Sequence, residues 1–383
     1  MTGDGRGRRV LQVFGPLDGG VPEHVLRLSQ GLTERGWAVE VAAPARSPAA
    51  QELARLGMPL HPVSLSRAPG PRDVASTRWL RALDRRRGYA VVHGHSSKAG
   101  ALVRGALPRR ERLVYTPHCF AFAASFGAAA AAQRLVYQVV EQALVPRTGT
   151  LIAVSEWERR EGERRLRGLD GRMHVVHNGV TACPDAAPDP AVLAFKGEGL
   201  LAGTVCGLRP QKDPLSLVRA AGVLEARGRL DFRVAVVGNG ELAGAVEAEI
   251  ARLGLGEKVR AFPFAGSAQP YLAALDLFVL PSLWESLPIS ALEALACATP
   301  VVATRVGGTP EAVVEGVSGR LVAPGDPDAL ATLMDELMHD PQQLASLAHG
   351  GYAAYAQHFT IDAMADAVSV LYERAAEAGE ARG

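Results

Sequence analysis

The alternation of short apolar runs with longer amphipathic segments constrains the fold of this chain more than any other feature. In the first half, segments with helical periodicity occupy 22–35, 72–87, 98–107, 130–145 and 155–167. The apolar runs between them are typical of buried strands and lie at 10–14, 39–43, 60–65, 90–93, 113–116, 151–154 and 174–176. Alternating β and α units predict a parallel, doubly wound sheet covered by helices on both faces.

This alternation breaks at a proline-rich stretch, CPDAAPDP at 183–190. It resumes with apolar runs at 204–208, 233–237, 259–262, 277–280, 301–303 and 321–322. Because 383 residues exceed one ordinary core, we predict two Rossmann-like α/β domains, 1–190 and 191–383, that face a ligand-binding cleft. The last helix, about 361–378, is a candidate to pack back on the first domain.

Composition and charge narrow the class of protein. Apolar residues make up 48% of the chain and charged residues 21%, which indicates a globular rather than a disordered protein. Residues 1–190 carry 27 basic and 17 acidic side chains, a net charge of +10, whereas 191–383 carry 14 and 23, a net charge of −9. The run at 10–14 is too short for a signal peptide, and no later run reaches the roughly 20 residues that a transmembrane helix needs.

The four cysteines are scattered along the chain. Cys119, Cys183, Cys206 and Cys297 form no CxxC pair, which argues against both a zinc site and a disulfide framework. This pattern fits a reducing cytoplasm.

The strongest chemical signal lies in the segment 276–326, where a buried strand leads through a loop into a helix. Pro288 stands close to the first helical position, where proline is favoured. The free N–H groups of Leu287, Ile289 and Ser290 would then point at an anion bound at the helix start.

Two glutamates and two cations extend this signal. Glu293 lies about 7.5 Å along the helix from its start, which suits a ribose whose diphosphate occupies the helix terminus, and Glu285 stands where the sugar would project. Arg209 and Lys212, in GLRPQK at 207–212, suit a diphosphate clamp, Arg209 through two hydrogen bonds and Lys212 as a point charge. Each of these residues alone also fits an ordinary solvated surface.

The first domain offers weaker candidates. Gly19 and Gly20 follow the first strand where a helix opens, so that backbone can approach a ligand closely, although a tight turn explains them equally. His118 follows another strand and is expected to face the cleft. His93 and His95 alternate along a strand end, and we expect them to point to opposite faces, which would suit one metal ion poorly.

Together these segments resemble glycosyltransferase family 4, retaining enzymes of the GT-B fold, over nearly the whole chain. GGVPEHVLRLSQGLTERGWAVEV is similar to the family's opening Gly-Gly loop, helix and second strand, and IAVSE and HNGV are similar to its later first-domain strands. VVGNGE and the segment 276–326 resemble its second domain, where Glu285 and Glu293 fit the E-x7-E pattern. HSSKAG with YTPHCFAF most resembles bacterial cell-surface polysaccharide transferases.

The resemblance implies a hexosyltransferase that moves a sugar, with retention, from a nucleotide-diphosphate sugar to a lipid-linked or glycan acceptor in cell-surface polysaccharide or glycolipid synthesis. It implies that Glu293 binds the ribose, that Glu285 binds the donor sugar, and that Arg209 and Lys212 bind the diphosphate. Since those cations would also stabilise the departing nucleoside diphosphate, we expect neither a metal nor another cofactor.

For the first domain, the resemblance implies that Gly19 and Gly20 approach the phosphates. It places His118 against the transferred sugar near the reacting carbon, so that His118 and Glu285 are the catalytic candidates. It also implies a cytoplasmic protein at the inner face of the plasma membrane, with no nucleic-acid partner. Cys119, Ser286 and Ala298 stand where the family more often has glycine.

Other functions stay open on the sequence alone. Gly238-Asn-Gly240-Glu-Leu-Ala243 fits the dinucleotide fingerprint of a dehydrogenase, but the next strand, at 259–264, lacks the acidic residue that would hold the ribose. Asp326 and Asp328 spell a D-x-D metal motif, for which helix capping is the better explanation. A nucleotide-sugar epimerase, a phosphorylase and a non-catalytic sugar-nucleotide sensor share the expected architecture.

The basic half of the chain suggests a surface for the acceptor. Its arginines cluster in two helical segments, at positions 78, 81, 85, 86, 87 and 159, 160, 164, 165, 167. A solvated surface explains them, as does contact with an anionic membrane, with the apolar segment 120–126 near a polyprenyl-linked acceptor.

Overall fold

The computed structural model describes residues 8–65, 70, 72–123, 130–183 and 186–381. The chain divides into two compact units, Met1–Gly179 together with Ile361–Gly383, and Val180–Thr360. We call these the first and the second unit.

Within its described residues, the first unit contains a seven-stranded parallel sheet in the order β3-β2-β1-β4-β5-β6-β7. Its strands are β1 (Arg9–Phe14), β2 (Ala38–Ala43), β3 (Leu60–Pro62), β4 (Val91–His95), β5 (Leu113–Thr116), β6 (Thr150–Ala153) and β7 (Met173–Val175). Its helices are α1 (Gly20–Glu34), α2 (Pro48–Arg55), α3 (Arg72–Arg87), α4 (Ser96–Ala106), α5 (Ala130–Leu144), α6 (Glu156–Arg165) and the last helix, α15 (Ile361–Glu380).

The second unit contains a six-stranded parallel sheet in the order β10-β9-β8-β11-β12-β13, again counted within the described residues. Its strands are β8 (Leu201–Val205), β9 (Arg233–Val237), β10 (Val259–Phe262), β11 (Leu277–Leu280), β12 (Val301–Thr304) and β13 (Gly319–Val322). Its helices are α7 (Pro190–Lys196), α8 (Pro214–Ala226), α9 (Ala243–Arg252), α10 (Gln269–Ala274), α11 (Ile289–Ala296), α12 (Thr309–Ala312), α13 (Pro327–Met338) and α14 (Pro341–His358).

The apolar runs become strands because each is buried on both faces. All four residues of β11 are inaccessible to solvent, as are Val10, Leu11 and Val13 of β1. Burying such a side chain contributes about 1.5–3 kcal/mol, and a strand covered by helices on both sides needs a continuous apolar run to gain it. The prediction of two doubly wound parallel α/β domains is confirmed.

Each sheet reverses its strand order beside its first strand, and this topology positions the chemistry. In the first unit β1 lies between β2 and β4, and in the second unit β8 lies between β9 and β11. Loops that leave the carboxyl ends of strands at such a switch point diverge to opposite faces of the sheet and leave a crevice for ligands. The motifs predicted from the sequence follow β1, β4, β5, β8 and β11.

The units divide at residues 179 and 360, whereas the sequence placed one boundary at 190. Val180 bridges to Thr360, and the N–H of Asp189 donates to the carbonyl of Pro270, so residues 180–190 belong to the second unit. Pro184 and Asp185 of the proline-rich stretch lie outside the described residues.

The last helix belongs to the first unit. The indole N–H of Trp37 donates to Ser369 at 2.8 Å, and Gly31 of α1 lies so close to Ala365 that a Cβ at Gly31 would be 2.7 Å from it. Small residues at this crossing therefore let α1 and α15 approach each other closely.

The expectation that no disulfide forms is wrong. Cys183 and Cys297, 114 positions apart, are bonded, whereas Cys119 and Cys206 are free. Spacing along the chain could not reveal this pair, because the fold brings the segment after Val180 against the C-terminus of α11. The bond ties the start of the second unit to the helix whose other end lies beside Glu285.

We expect alkylation of the unfolded, unreduced protein to label two thiols, and four after reduction. Reduction should lower the free energy of unfolding by about 2–4 kcal/mol, because the open chain gains conformational entropy. Intact mass before and after reduction gives the count, and a Cys206→Ser variant should lose one label in both states. Labelling of four thiols without reductant would contradict the pairing.

Candidate functional site

Two loops meet at the switch point of the second unit. The loop after β8 contains Arg209 and a single 3-10 turn, Pro210–Lys212, before α8 begins. The loop after β11 contains Glu285 and ends at α11. A backbone hydrogen bond of 2.8 Å, from the N–H of Leu283 to the carbonyl of Gln211, joins the two loops.

Glu285 is the centre of this site. Its side chain is almost fully buried, and Lys212 Nζ lies 2.5 Å from its Oε1. Ser282 Oγ donates to the same oxygen at 2.7 Å, and Gln211 Nε2 lies 3.4 Å from Oε2. A buried carboxylate is stable only when it is paired and hydrogen-bonded, so these three donors keep Glu285 in place without a ligand.

The loop that carries Glu285 rests on a second loop after β12. Gly307 has a φ of +52°, and a Cβ there would lie 1.6 Å from the carbonyl oxygen of Glu285. Thr304 Oγ1 donates to the carbonyl of Ser282 at 2.5 Å. Only glycine can occupy position 307, because both its backbone conformation and its contact with Glu285 exclude a side chain.

The start of α11 presents the groups expected of an anion site. Pro288 is the N-cap and Ile289 the first helical residue, so the N–H groups of Ile289 and Ser290 have no partner within the helix. Leu287 is buried directly before the cap. Glu293 lies one turn further along and is half-buried.

Three hydroxyl oxygens near this helix start are buried without a hydrogen-bond partner in the described part of the chain. They are Ser286 Oγ, Ser290 Oγ and Thr309 Oγ1. An unsatisfied buried hydroxyl costs about 1–3 kcal/mol, so such a group needs an explanation, such as a bound water or ligand. Here the three flank the Glu285 loop.

The glycines of the apparent dinucleotide fingerprint serve packing. A Cβ at Gly238 would lie 2.0 Å from the carbonyl oxygen of Cys206, and one at Gly240 would lie 2.3 Å from that of Leu208. The N–H of Leu208 donates to the carbonyl of Asn239 at 2.9 Å. Backbone of the loop that leads to Arg209 therefore fills the space that a pyrophosphate would need against these glycines.

In the first unit the predicted site residues follow two strands: Gly19 and Gly20 come after β1, and His118 comes after β5. Gly19, with a φ of +93°, is the N-cap of α1 and Gly20 its first residue. His118 and Cys119 both have left-handed backbone, with φ values of +54° and +91°. Such angles cost a non-glycine residue on the order of 1–3 kcal/mol and persist only where the surroundings enforce them.

Glu158 supplies that enforcement. Its fully buried carboxylate accepts hydrogen bonds from the N–H groups of Cys119 and Val154. The backbone N–H of Glu158 donates to Ser155 Oγ at the start of α6. The pattern Ser155-x-x-Glu158 resembles a capping box whose glutamate reaches a neighbouring loop instead of its own N-cap. Its burial fixes the backbone that carries His118.

His93 and His95 do not point to opposite faces. Their ring centroids lie 3.8 Å apart, because residues i and i+2 of a strand share one face of the sheet. His95 Nδ1 lies 3.1 Å from His118 Nε2, and the ring of His24, from α1, lies 4.5 Å from that of His118. The sequence did not predict this cluster of four histidines, which His118 forms with His24, His93 and His95.

Comparison with known proteins identifies the family. Residues 18–182 match Glycosyltransferase Family 4, and residues 186–354 match Glycosyl transferases group 1. A D-inositol 3-phosphate glycosyltransferase of Mycolicibacterium gilvum is 31% identical over 90% of this chain and 83% of its own length. The chain belongs to glycosyltransferase family 4. A D-inositol 3-phosphate glycosyltransferase of Thermobispora bispora is 34% identical over 76% of this chain and 71% of its own length.

Solved structures agree with this family 4 assignment at the level of the fold. Anabaena HepE, solved with UDP-glucose, superimposes with a TM-score of 0.78 at 21% identity, over 94% of this chain and 98% of its own. A glycosyltransferase from Rickettsia africae also gives 0.78, at 17% identity, over 96% and 98%. The GT-B fold class and the prediction of a glycosyltransferase are confirmed, and the dehydrogenase alternative is excluded.

The structure also bears on the expectations for Asp326 and for the apolar segment 120–126. Asp326 accepts a hydrogen bond from the N–H of Ala329 at 2.9 Å and is therefore the N-cap of α13, as the sequence indicated. Phe120 and Phe122 are not available to an acceptor lipid, because both are fully buried and stack on each other 4.7 Å apart in a core cluster. Residues 124–126 of the same apolar segment lie outside the described residues.

The left-handed backbone at Cys119 is a conformation that glycine adopts more easily than cysteine. We expect Cys119→Gly to raise the free energy of unfolding by about 0.5–1 kcal/mol, since strain relief exceeds the extra backbone entropy of glycine. Chemical denaturation measures this change. Cys119→Ala is the matched control, because it removes the thiol but keeps the Cβ; a gain as large as that of glycine would show that backbone strain is not the cause.

Proposed function

We propose that this family 4 enzyme transfers a sugar, with retention, from a nucleotide-diphosphate sugar that binds in the second unit to an acceptor hydroxyl. The observation that carries the proposal is the buried Glu285 carboxylate, paired with Lys212 beside the start of α11 and flanked by unpartnered hydroxyls. This arrangement combines a cation, the N–H groups at a helix start and a carboxylate within one small region, which is what a sugar diphosphate requires.

The ion pair with Glu285 orients Lys212, and in this proposal Lys212 together with Arg209 favours an anionic donor. Lys212 is already held at the switch point, and its side chain is about one-fifth exposed. A diphosphate that arrives beside it gains a pre-oriented cation, while Glu285 keeps Ser282 and Gln211 as donors. Arg209, half-buried in the same loop, adds a guanidinium that can form two parallel hydrogen bonds to phosphate oxygens.

In this proposal the N–H groups of Leu287, Ile289 and Ser290 receive the phosphate charge at the helix start. Glu293 binds the ribose hydroxyls one turn further along α11. The hydroxyls of Ser286 and Thr309 extend the polar wall, and HepE, whose fold this chain shares, is a protein solved with UDP-glucose.

The roles of Gly19, Gly20 and His118 stay predictions from the resemblance. Gly19 and Gly20 stand at the start of α1, where the first backbone N–H groups have no partner within the helix. His118 is proposed to contact the transferred sugar near the reacting carbon. In the retaining reaction the acceptor hydroxyl attacks the sugar from the same face from which the nucleoside diphosphate leaves. A donor phosphate oxygen takes the proton of that hydroxyl.

Removal of the proposed donor contacts should weaken nucleotide binding without unfolding the protein. We expect Arg209→Ala, Lys212→Ala and Glu293→Ala each to lose about 2–4 kcal/mol of binding or transition-state free energy, or roughly 30- to 1000-fold. Titration calorimetry with UDP, GDP, ADP and dTDP and a donor-turnover assay measure both.

Lys258→Ala is the matched control for these variants, because Lys258 forms an exposed pair with Glu225 in the same unit. It should bind nucleotide like the unmodified chain. Circular dichroism checks the fold, above all for Lys212→Ala, which leaves the Glu285 carboxylate without its cation. If all three site variants bound nucleotide like the control, the donor site would lie elsewhere.

We also propose that transfer needs no metal. Cations and a helix terminus serve the leaving diphosphate in this scheme, and Asp326 of the D-x-D pattern is engaged as a cap. We expect the transfer rate to be unchanged after dialysis against EDTA. Complete loss, restored by Mg²⁺ or Mn²⁺ alone, would contradict this and would return attention to Asp326 and Asp328.

For the acceptor, we propose a polyprenyl-linked glycan presented at the inner face of the plasma membrane. An apolar stripe on α5 supports this: Leu135, Val136, Val139 and Val140 are 63%, 60%, 60% and 45% exposed. Such a stripe on a helix with polar residues on its other side is typical of contact with lipid. No helix among the described residues has the length and apolar character needed to span a bilayer.

Positive charge lies beside this stripe. The side chains of Gln138 and Gln142 on α5 donate to the carbonyls of Arg165 and Arg167, so the basic end of α6 packs next to it. A separate group of exposed arginine side chains, Arg78, Arg85 and Arg86, lies on α3. An anionic lipid surface complements this combination of apolar stripe and arginines.

We expect the protein to bind vesicles that contain anionic lipid, and to bind them less as salt rises. A triple variant with Glu in place of Arg78, Arg85 and Arg86 should have a vesicle–water partition coefficient roughly 100-fold lower or more, since each basic residue contributes about 1 kcal/mol. Arg87 is unsuitable for this test, because it pairs with the buried Glu40.

Val136→Asp with Val139→Asp tests the α5 stripe, and Val370→Asp, at an exposed valine of α15, is its matched control. Flotation with neutral and anionic vesicles measures binding, and nucleotide affinity should not change in any of these variants. A protein that ignored anionic vesicles at low salt would contradict the membrane proposal.

A second acceptor, D-inositol 3-phosphate, is favoured by the relatives that carry its name. The two acceptors are distinguished by one assay, in which the purified chain receives each in turn with a panel of nucleotide sugars. Transfer to the polyprenyl-linked sugar supports the first proposal, and transfer to the inositol phosphate alone replaces it. Donor isomerisation without transfer would favour an epimerase, and binding without turnover would favour a sensor.

A further inference from the structure

Three histidines of the first unit bring ring nitrogens together. One ring nitrogen from each of His24, His95 and His118 lies within 4.8 Å of the other two. The three residues come from α1, from the end of β4 and from the loop after β5, so that the fold rather than local sequence assembles them.

Hydrogen bonds to carbonyl oxygens determine where two of these rings carry their protons. His24 Nδ1 lies 2.9 Å from Asn178 Oδ1, and His95 Nε2 lies 2.7 Å from Gln12 Oε1. Because an amide oxygen only accepts, each of these nitrogens carries the hydrogen. The lone pairs of Nε2 of His24 and Nδ1 of His95 are then directed away from the amides, and the latter faces His118 Nε2.

The neighbouring His93 has a different role. Its Nδ1 lies 2.6 Å from Tyr372 Oη and its Nε2 lies 2.8 Å from Thr116 Oγ1, so both nitrogens are engaged. Tyr372 also accepts from Gln12 Nε2 at 3.0 Å, which fixes the orientation of the Gln12 amide. His93 and Tyr372 therefore act through the Gln12 amide, which holds the proton of His95 on Nε2.

The environment keeps the imidazoles neutral. Burial lowers the pKa of His95 and His118 well below the usual range, and repulsion between protonated neighbouring histidines lowers it further. Burial lowers the pKa of His24 to about 4. Neutral imidazole is the form that ligates metals.

We propose that His24, His95 and His118 form a binding site for a borderline divalent transition-metal ion such as Zn²⁺. Three imidazoles leave a fourth position, which the half-exposed His118 opens to water. Asn178 and Gln12 act as the outer partners that orient metal-bound histidines. With Zn–N near 2.0–2.1 Å, tetrahedral ligand nitrogens lie roughly 3.4 Å apart. His95 Nδ1 and His118 Nε2, 3.1 Å apart, are already near this spacing, so binding needs mainly a small inward movement of His24, since no pair of ligand nitrogens is more than 4.8 Å apart.

The ion is an inhibitor rather than a cofactor. Bound to His118, it occupies the group that the proposed function places against the sugar, and this consequence rests on that function. Binding itself does not rest on it. The site is therefore compatible with transfer in EDTA.

The test is titration of the full chain, free of any histidine tag and dialysed against chelator, with ZnSO₄ and with CoCl₂. We expect one equivalent to bind and Co²⁺ to develop the visible absorption of a four-coordinate ion. His24→Gln, His95→Gln and His118→Gln should each weaken binding at least tenfold, and Asn178→Ala about 10- to 100-fold. His349→Gln, at an exposed histidine of α14, is the matched control and should not change it.

Circular dichroism identifies a variant that fails to fold, and the half-exposed His118→Gln then decides the result. Absence of stoichiometric binding, or equal affinity in His118→Gln and His349→Gln, would overturn the site. Stoichiometric binding that leaves transfer unchanged would keep the site and would instead contradict the placement of His118 against the sugar.

Discussion

Three loops of the second unit are held together by one buried glutamate. The carboxylate of Glu285 accepts hydrogen bonds from Lys212, Ser282 and Gln211. Its backbone carbonyl oxygen packs against Gly307 and accepts a hydrogen bond from the N–H of Gly308 at 3.3 Å. A charge taken out of water must be satisfied on all sides. The partners of the carboxylate come from the loops after β8 and β11, and the backbone carbonyl adds the loop after β12, so that the contacts of Glu285 hold these three loops against one another.

The doubly wound topology makes this possible. At the switch point, the loops after β8 and β11 leave adjacent strands in opposite directions, and a ligand meets both. The first unit repeats the scheme with different chemistry: the ends of β1, β4 and β5 bring a glycine turn and a histidine cluster to one edge. One fold thus supplies a cation-rich loop in one unit and neutral imidazoles in the other.

The sequence predicted what depends on local pattern. Apolar runs located the strands closely, although β8 begins at Leu201 rather than at Thr204, and the helix start after Pro288 followed from capping rules. What it missed depends on contacts between distant segments: the Cys183–Cys297 pair, the support of Glu285 by Gly307, and the packing of Gly238 against the β8 loop. Of the histidine cluster, only the His93–His95 pair could have been found, since strand periodicity places both on one face, whereas the fold brings His24 and His118 to them.

Two of the three positions at which the resemblance led us to expect glycine share one backbone property. Cys119 and Ala298 both adopt left-handed backbone, with φ values of +91° and +52°. A third, Ser286, is not among the residues with positive φ, and its hydroxyl is instead one of the unpartnered groups near α11. Backbone conformation therefore distinguishes the first two positions and side-chain chemistry the third.

In the proposed function, the nucleotide binds at the Glu285 centre of the second unit. Amide hydrogen exchange of the full chain, with and without saturating nucleoside diphosphate, measures this directly, because bound backbone N–H groups exchange more slowly. We expect protection at 206–213 and 285–293. Protection confined to 238–243, or to the first unit, would contradict the account.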